Sequence, residues 1–460
     1  MSEIKRNGHG AMDMTQGSPT RLIVLFSLPL LAGNVLQQLY NMVDSMVVGR
    51  FVGEDALAAV GSSFPVVFLS VAIAAGLSMG CTVVISQFFG AGKILEMKIT
   101  VSTALISLGV IGLIIMGIGE IIAGPLLTLL GTDPDIMADS LAYLRIYFGG
   151  AVFLFLYNSL NGIYNALGDS QTPLKFLMVS ALTNIVLDLL FVIQFNMGVA
   201  GVAWATLIAQ GMCAVFSFFV LIARLRKMEN EEAAKGKSFT FFDMSSAERI
   251  AKVGVPSMLQ QSIVSISMML MQGLVNSYGK VFVAGYTAAT KIDTLAMMPN
   301  MNFSNAMSSY AAQNIGARKM DRVKQGYKAS MFMVVVFSLI ITSIIFLFGP
   351  QLLGLFLKQG AEGSAMSYGL SYMKTVSVFY ILMGALFVSN GLLRGAGDMG
   401  AFMLSSVVNL FSRVAIAYLL AHFIGASAIW WSIPTGWAVG ALFSFLRVRS
   451  GKWMARRLVD

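Results

Sequence analysis

Two aspartates, Asp44 and Asp188, stand inside long apolar stretches of this chain, each with amide side chains close by. Asp44 lies in Tyr40-Asn41-Met42-Val43-Asp44-Ser45, and Asp188 ends Thr183-Asn184-Ile185-Val186-Leu187-Asp188. On a helix Asn184 and Asp188, four residues apart, share one face. Asn158 and Asn161, three apart, share another. Carboxylates and amide oxygens are hard ligands that suit Na⁺, and a desolvated carboxyl group can carry a proton instead. Burying a carboxylate at the centre of a bilayer costs about 2.5–3.5 kcal/mol on insertion scales, so an acid kept there calls for a reason. Coupling to a cation is one. A hydrogen-bonded cluster that merely holds helices together is the other.

Two further acids fall in apolar stretches. Glu120 sits near the end of its stretch, within reach of an interface. Asp293 follows Lys291 by two residues, a spacing compatible with a local polar network, a counter-ion role or contact with a substrate. Methionines cluster nearby, with Met297, Met298, Met301 and Met307 in one stretch and Met268, Met269 and Met271 in the one before. Flexible thioethers suit a permissive binding surface, for which Met297 and Met301 are candidates, and they serve equally as lipid-facing filler.

The elements that must position these residues are membrane spans. Of 460 residues 57% are apolar and only 12% are charged. That share of charge is too small to clothe a soluble protein of this length, which excludes soluble enzymes and nucleic-acid binders. With two histidines (His9 and His422), two cysteines (Cys81 and Cys213) and no CxxC, neither a His-ligated metal centre nor a disulfide framework is expected. No GxxxxGK[ST] phosphate loop occurs, and no clustered nucleophile and base point to an intramembrane enzyme.

A spanning helix needs about 20 mostly apolar residues. Twelve stretches qualify, at 21–48, 57–86, 100–123, 141–166, 173–195, 199–223, 253–278, 281–311, 328–349, 371–393, 402–424 and 427–447. The first is too long for a signal-peptide core and reads as a retained span. With both termini cytoplasmic, inner segments hold 24 Lys and Arg against 3 outside, while Arg145, Lys291, Lys374 and Arg413 fall within spans. The excess of base sets the orientation, and the net charge of +9 belongs to cytoplasmic loops rather than to a nucleic-acid surface. The expected organisation is a cytoplasmic tail 1–20, a first lobe 21–223, a linker 224–252, a second lobe 253–447 and a tail 448–460.

The two halves repeat. Gln87-x-x-Gly-Ala-Gly-Lys93 returns as Gln313-x-x-Gly-Ala-Arg-Lys319. Asn161-Gly162 with Gly168-Asp169 returns, at nearly the same offset, as Asn390-Gly391 with Gly397-Asp398. Six spans per half imply a parallel repeat about an axis along the membrane normal. The expected fold is all-α, with two pseudo-symmetric six-helix bundles around a central cleft. Aligning Asn184 with Asn409 places Arg413 opposite Asp188, so a base in one half answers an acid in the other.

With these residues the chain resembles the multidrug and toxic compound extrusion (MATE) family over about residues 15–450. The resemblance rests on Leu39 to Asp44, Val48-Gly49-Arg50, Ala58 to Gly61, Gln87 to Lys93, Asn161 to Asp169, Asn184 to Asp188, Gly198 to Thr206 and Asn390 to Asp398. It implies a twelve-helix cation-coupled antiporter in the cytoplasmic membrane that exports lipophilic, often cationic, organic compounds. In the DinF-like branch, which it resembles most, the first lobe holds the coupling site. Asp44, Asn184, Asp188 and Thr206 match that H⁺ or Na⁺ site, and Asn158 and Asn161 match asparagines near the cargo or proton site. Another branch carries acids in spans 7 and 10. This chain has Gln260 and Gln261 at the first of these, leaving them as cleft candidates with Asp293, Met297 and Met301. No cofactor is implied beyond the coupling ion, and a monomer is expected. The alternative within transport is a flippase for lipid-linked saccharides, which calls for a more basic cleft than four intramembrane bases supply.

Overall fold

The computed structural model describes residues 12–228, 238–357 and 364–459. The tail before Met12, the linker charges Glu229, Glu231, Glu232, Lys235 and Lys237, and the loop residue Lys358 lie outside the described residues.

Among the described residues the regular elements are helices. The first half comprises α1 (Pro19–Val47), α2 (Glu54–Gly90), α3 (Ile94–Leu129), α4 (Pro134–Gly149), α5 (Ala151–Ala166), α6 (Gln171–Leu189) and α7 (Gly198–Lys227). The second comprises α8 (Met244–Asn276), α9 (Lys280–Gly316), α10 (Met320–Gly354), α11 (Ser364–Ser377), α12 (Tyr380–Ala396), α13 (Met399–Ile424) and α14 (Ser427–Arg449). Single π-helical turns extend α1 through Val48–Val52 and α6 through Leu190–Gln194. The chain is an all-helical membrane protein.

Nine of these helices are long and apolar enough to cross a bilayer, and two bent pairs, α4–α5 at 51° and α11–α12 at 53°, bring the number to eleven. The remaining expected span, 281–311, is α9. It is a 37-residue helix too polar to pass as a span by composition. Most of its residues are buried, including Asn300, Asn302, Ser304, Ser308 and Ser309, so their polar groups face protein rather than lipid. A window of apolarity underrates such a helix, because burial in a bundle supplies partners that hydrocarbon cannot.

The bends have local causes. Gly149 and Gly150 sit together at the α4–α5 break, and a Cβ on Gly150 would stand 2.9 Å from the Leu207 side chain of α7. The α11–α12 break falls at Val378–Phe379, without glycine or proline. There Tyr372 on one side and Tyr380 on the other turn to the same acid, Asp293.

The repeat is visible in the packing. Ser78 Oγ on α2 donates to the Asn158 carbonyl of α5 at 2.6 Å, and Ser304 Oγ on α9 donates to the Phe387 carbonyl of α12 at 2.6 Å. In each case a glycine, Gly162 or Gly391, lets the backbone of the partner helix approach the same serine. Asp169 pairs with Arg224 at 2.6 Å, and Asp398 pairs with Arg447 at 2.7 Å, after the two Gly-Asp turns.

The chain forms two compact units, one of Ala32–Met258 and the other of Met14–Leu31 with Leu259–Asp460. Thus α1 divides two residues after Pro29, and α8 divides two residues after Pro256. Each proline removes one backbone hydrogen bond and weakens its helix at that place. Within the second unit, Met14 is fully buried. Its N–H donates to Gln313 Oε1 at 2.9 Å and its carbonyl accepts from Asn314 Nδ2 at 3.1 Å. Lys319 and Arg322 hold the Thr15 and Gly17 carbonyls, so the second copy of the Gln-x-x-Gly-Ala motif anchors the approach to α1.

Candidate functional site

The first unit gathers Asp44, Asn184, Asp188 and Thr206 into one polar cluster. The helix carrying two of them is fixed at its start by Asp169. Asp169 Oδ1 accepts from the N–H groups of Gln171 and Thr172 at 3.0 Å, while Oδ2 takes the Thr172 hydroxyl and the Arg224 guanidinium, both at 2.6 Å. Its end is fixed by a tight turn into α7, in which Asn196 and Gly198 take left-handed conformations (φ 53° and 56°). Asparagine and glycine are the residues that adopt this backbone most readily. The turn brings Thr206 of α7 beside Asn184 of α6, with Asn184 Nδ2 and Thr206 Oγ1 3.2 Å apart.

Turning the Asn184 amide satisfies more of the site. Its nitrogen then donates to Asp188 Oδ2 at 3.0 Å, and its oxygen accepts from the hydroxyl and the N–H of Thr206 at 3.2 Å. Asn184 and Asp188 are buried, at 1% and 0% exposure. The second oxygen of Asp188, Oδ1, has no donor among the described residues. Asp44, on α1, is half-buried and brings its carboxyl group within hydrogen-bonding reach of Asp188. Two carboxylates so placed in an apolar bundle repel each other unless a proton or a cation stands between them. With the Asn184 amide and the Thr206 hydroxyl, the site offers the uncharged and anionic oxygens that a proton or Na⁺ requires.

Two tyrosines complete the cluster. The Tyr40 hydroxyl lies near Thr206, Asp44 and Asp188, and Tyr143 of α4 lies within electrostatic range of the same two acids. Tyr40 was readable from its place one turn before Asp44 on a single helix face. Tyr143 lies on a distant span, and only its recurrence as Tyr372, at the offset that relates Asn161 to Asn390, hints at a role.

The expected cleft residues divide between the units. Asn158 and Asn161 belong to the first unit. The Asn158 amide donates to the Leu154 carbonyl of its own helix at 2.9 Å, and Asn161 lies near the Tyr157 hydroxyl. Gln260, Gln261, Met297 and Met301 belong to the second, and Met301 is exposed while the other three are half-buried. Asp293 is buried there among aromatic side chains. Its Oδ1 accepts from Tyr380 at 2.5 Å and its Oδ2 from Tyr372 at 2.9 Å. Lys291 lies apart from this acid and places its ammonium over the Phe356 ring, 5.5 Å from the centroid. Glu120 is exposed and pairs loosely with Arg145 at 3.9 Å.

Comparison with known proteins identifies the family. The MatE family profile matches residues 29–190 and 256–419, one match in each half. The chain is 32% identical over 455 residues to "Probable multidrug resistance protein YpnP" of Bacillus subtilis (strain 168), covering 97% of this chain and 99% of that protein. It superposes with a TM-score of 0.87 on a MOP superfamily transporter from Pyrococcus furiosus, at 26% identity over 98% of this chain and 99% of the other. It superposes with a TM-score of 0.85 on an outward-facing multidrug resistance MATE family transporter of the same superfamily, at 26% identity over 96% and 98% of the two chains. A profile match through both halves, on an all-helical membrane fold shared with solved transporters, shows that this chain belongs to the MatE family of membrane transporters.

Proposed function

We propose that this chain is a cation-coupled antiporter that exports lipophilic, often cationic, organic compounds by alternating access, and that it belongs to the DinF-like branch of its family. The observation that carries this reading is the meeting of Asp44 and Asp188 inside an apolar bundle. Among the described residues the groups near the pair are the neutral side chains of Tyr40, Tyr143, Asn184 and Thr206, which accords with a positive charge that arrives from solution. Binding of H⁺ or Na⁺ there neutralises the site, and its departure restores repulsion between the acids. An ion that falls through the membrane potential supplies about 2.3 kcal/mol per charge per 100 mV, enough to drive cargo uphill.

Asn158 and Asn161 are the proposed cargo contacts of the first unit, and Gln260, Gln261, Met297 and Met301 those of the second. Amides supply a few polar anchors and thioethers supply adaptable apolar contact. Asp293 is set apart from them because it is buried and each of its oxygens already accepts a tyrosine hydroxyl. A drug-like cargo accords with the name of the Bacillus subtilis relative. The excess of basic residues in the inner segments supports cytoplasmic termini and residence in the cell membrane.

The test is transport of a fluorescent organic cation in proteoliposomes under separately imposed pH and Na⁺ gradients. The wild-type protein is expected to respond to at least one gradient, and Asp44→Asn or Asp188→Asn to abolish that response. Full ion-driven transport by either variant would overturn the assignment.

A further inference from the structure

The second unit carries an apolar groove that neither the coupling pair nor the proposed cargo contacts use. It is a cavity of about 250 Å³ walled by α1 (Val24 to Leu31), α9 (Pro299 to Phe303) and α10 (Phe332 to Phe337), all within that unit. Two of its wall residues have polar side chains, and both are engaged within their own helices. The Ser27 hydroxyl donates to the Val24 carbonyl at 3.1 Å, and the Asn302 amide donates to the Met298 carbonyl at 2.9 Å. The groove therefore presents hydrocarbon. Leu28, Phe332 and Val336 on its walls are exposed, and α10 is the most apolar of the nine helices that pass as spans by composition. The exposed side of such a helix is suited to lipid, where a polar group would find no partner.

The charges at one end of the groove follow from helix geometry. α1 and α10 start from a common anchor, where Arg322 Nη2 donates to the Gly17 carbonyl at 2.9 Å. Arg21 and Lys328 stand four and six residues beyond it, about 6 and 9 Å along at a rise of 1.5 Å per residue. Leu28 and Phe332 follow at about 15–17 Å, and Leu31 and Val336 at about 21 Å. Arg21, Val24, Leu28 and Leu31 recur at three- and four-residue spacing on one side of α1. Lys328, Phe332 and Val336 recur at four-residue spacing on one side of α10. Both bases are exposed, and neither has an acid partner among the described residues. Asp321, in the first turn of α10, is paired with Lys324 at 3.7 Å. The groove thus begins just beyond two unpaired cations and runs through depths that the acyl chains of one leaflet fill, about half of a 30 Å hydrocarbon core.

We infer that this groove is the site of one anionic phospholipid, of the leaflet that α1 first enters, with an acyl chain between α1 and α10 and the phosphate at Arg21 and Lys328. The two cations decide the class of ligand, since basic residues at the membrane surface attract anionic headgroups. They repel the lipophilic cation proposed as cargo. A zwitterionic lipid fits the same walls but brings a cation of its own to the two bases. The site stands apart from Asp44 and Asp188, and its test reads no ion-coupled transport.

The test is equilibrium lipid binding to the full-length protein, stripped of lipid in detergent and titrated with phosphatidylglycerol or phosphatidylcholine of identical chains. Bound lipid is counted by native mass spectrometry. The wild type is expected to bind its first phosphatidylglycerol at least tenfold more tightly than its first phosphatidylcholine. A base near an anionic lipid surface is worth about fivefold in affinity. Arg21→Gln and Lys328→Gln should therefore each weaken phosphatidylglycerol about fivefold, and the double variant should lose most of the preference. Lys175→Gln, at an exposed base of the first unit, should bind as the wild type does. Val336→Trp, which fills the groove and keeps both cations, should weaken both lipids. Equal affinity of the wild type for the two lipids overturns the inference, as does a double variant that keeps the wild-type preference or an equal loss on Lys175→Gln. Undiminished phosphatidylglycerol binding by Val336→Trp, or displacement of the lipid by inorganic phosphate, shows a headgroup contact without a groove and overturns it too. Displacement by tetraphenylphosphonium makes the groove a cargo site and does the same.

Discussion

Gly162 packs its bare Cα against Ser78, close enough that a Cβ at this position would stand 2.8 Å from the Ser78 carbonyl. The contact joins α2 to α5 beside Asn158, whose carbonyl accepts the Ser78 hydroxyl. The same relation recurs between Gly391 and Ser304. A side chain in such a contact must push two helices apart, and overpacking of this kind costs about 1–3 kcal/mol or more. Gly162→Val and Gly391→Val are each expected to lower the melting temperature in detergent by several degrees. Gly117→Val, at a site with open space around its Cβ, should leave it nearly unchanged.

Asn184 orients Asp188 and answers Thr206 within the acid cluster. Hydrogen bonds to a charged group contribute about 1.5–3 kcal/mol. Asn184→Leu is therefore expected to raise the ion concentration that half-saturates transport by roughly tenfold or more. Thr206→Val, which keeps shape and loses the hydroxyl, should act in the same direction. Measuring transport rate against H⁺ or Na⁺ concentration checks both.

Two ion pairs of different burial separate structural from incidental charge. Asp169 and Arg224 are 8% and 9% exposed, and Asp169 also caps α6. Removing one partner of a buried pair costs about 3–5 kcal/mol, because the other is left uncompensated. Arg224→Met should strongly reduce yield and melting temperature. The Glu120–Arg145 pair is exposed, and Glu120→Gln should shift stability by less than about 1 kcal/mol.

The start of α8 provides a pH-dependent contact outside the membrane. Asp243 Oδ2 accepts the Ser246 N–H at 2.7 Å, while the Asp243 N–H donates to Thr103 Oγ1 at 3.0 Å. The hydrogen bonds from Ser246 hold the Asp243 carboxyl below its ordinary range. Its contribution is thus present above the unfolded value of about 3.9 and is lost as pH falls through the lower folded value. The protection of the amides of residues 244–248, relative to their intrinsic exchange at the same pH, is expected to fall below about pH 4 in the wild type. Asp243→Ala should be less protected above about pH 4, by an amount near the ~1 kcal/mol of a lost cap, and should approach the wild type at lower pH.

How far the sequence reached differs by element. Spans whose lipid-facing sides must be apolar were legible, because hydrocarbon offers no partner for a polar group. The span at α9 was among the twelve, although composition alone does not pass it, because burial in protein replaces lipid there. Asn184 and Asp188 could be paired from their spacing, since one helix face fixes it. That Asp44 joins them from α1, with Tyr143 from α4, could not be read from spacing, because it depends on how separate helices pack.

The repeat shows the same division. Its nearly constant offset was in the sequence, and so was the opposition of Asp188 and Arg413. Local periodicity cannot tell which side chains a buried acid will meet. Tertiary packing decided that Asp293 of α9 meets tyrosines from both sides of a broken span, because only the bend between α11 and α12 lets Tyr372 and Tyr380 reach one carboxylate.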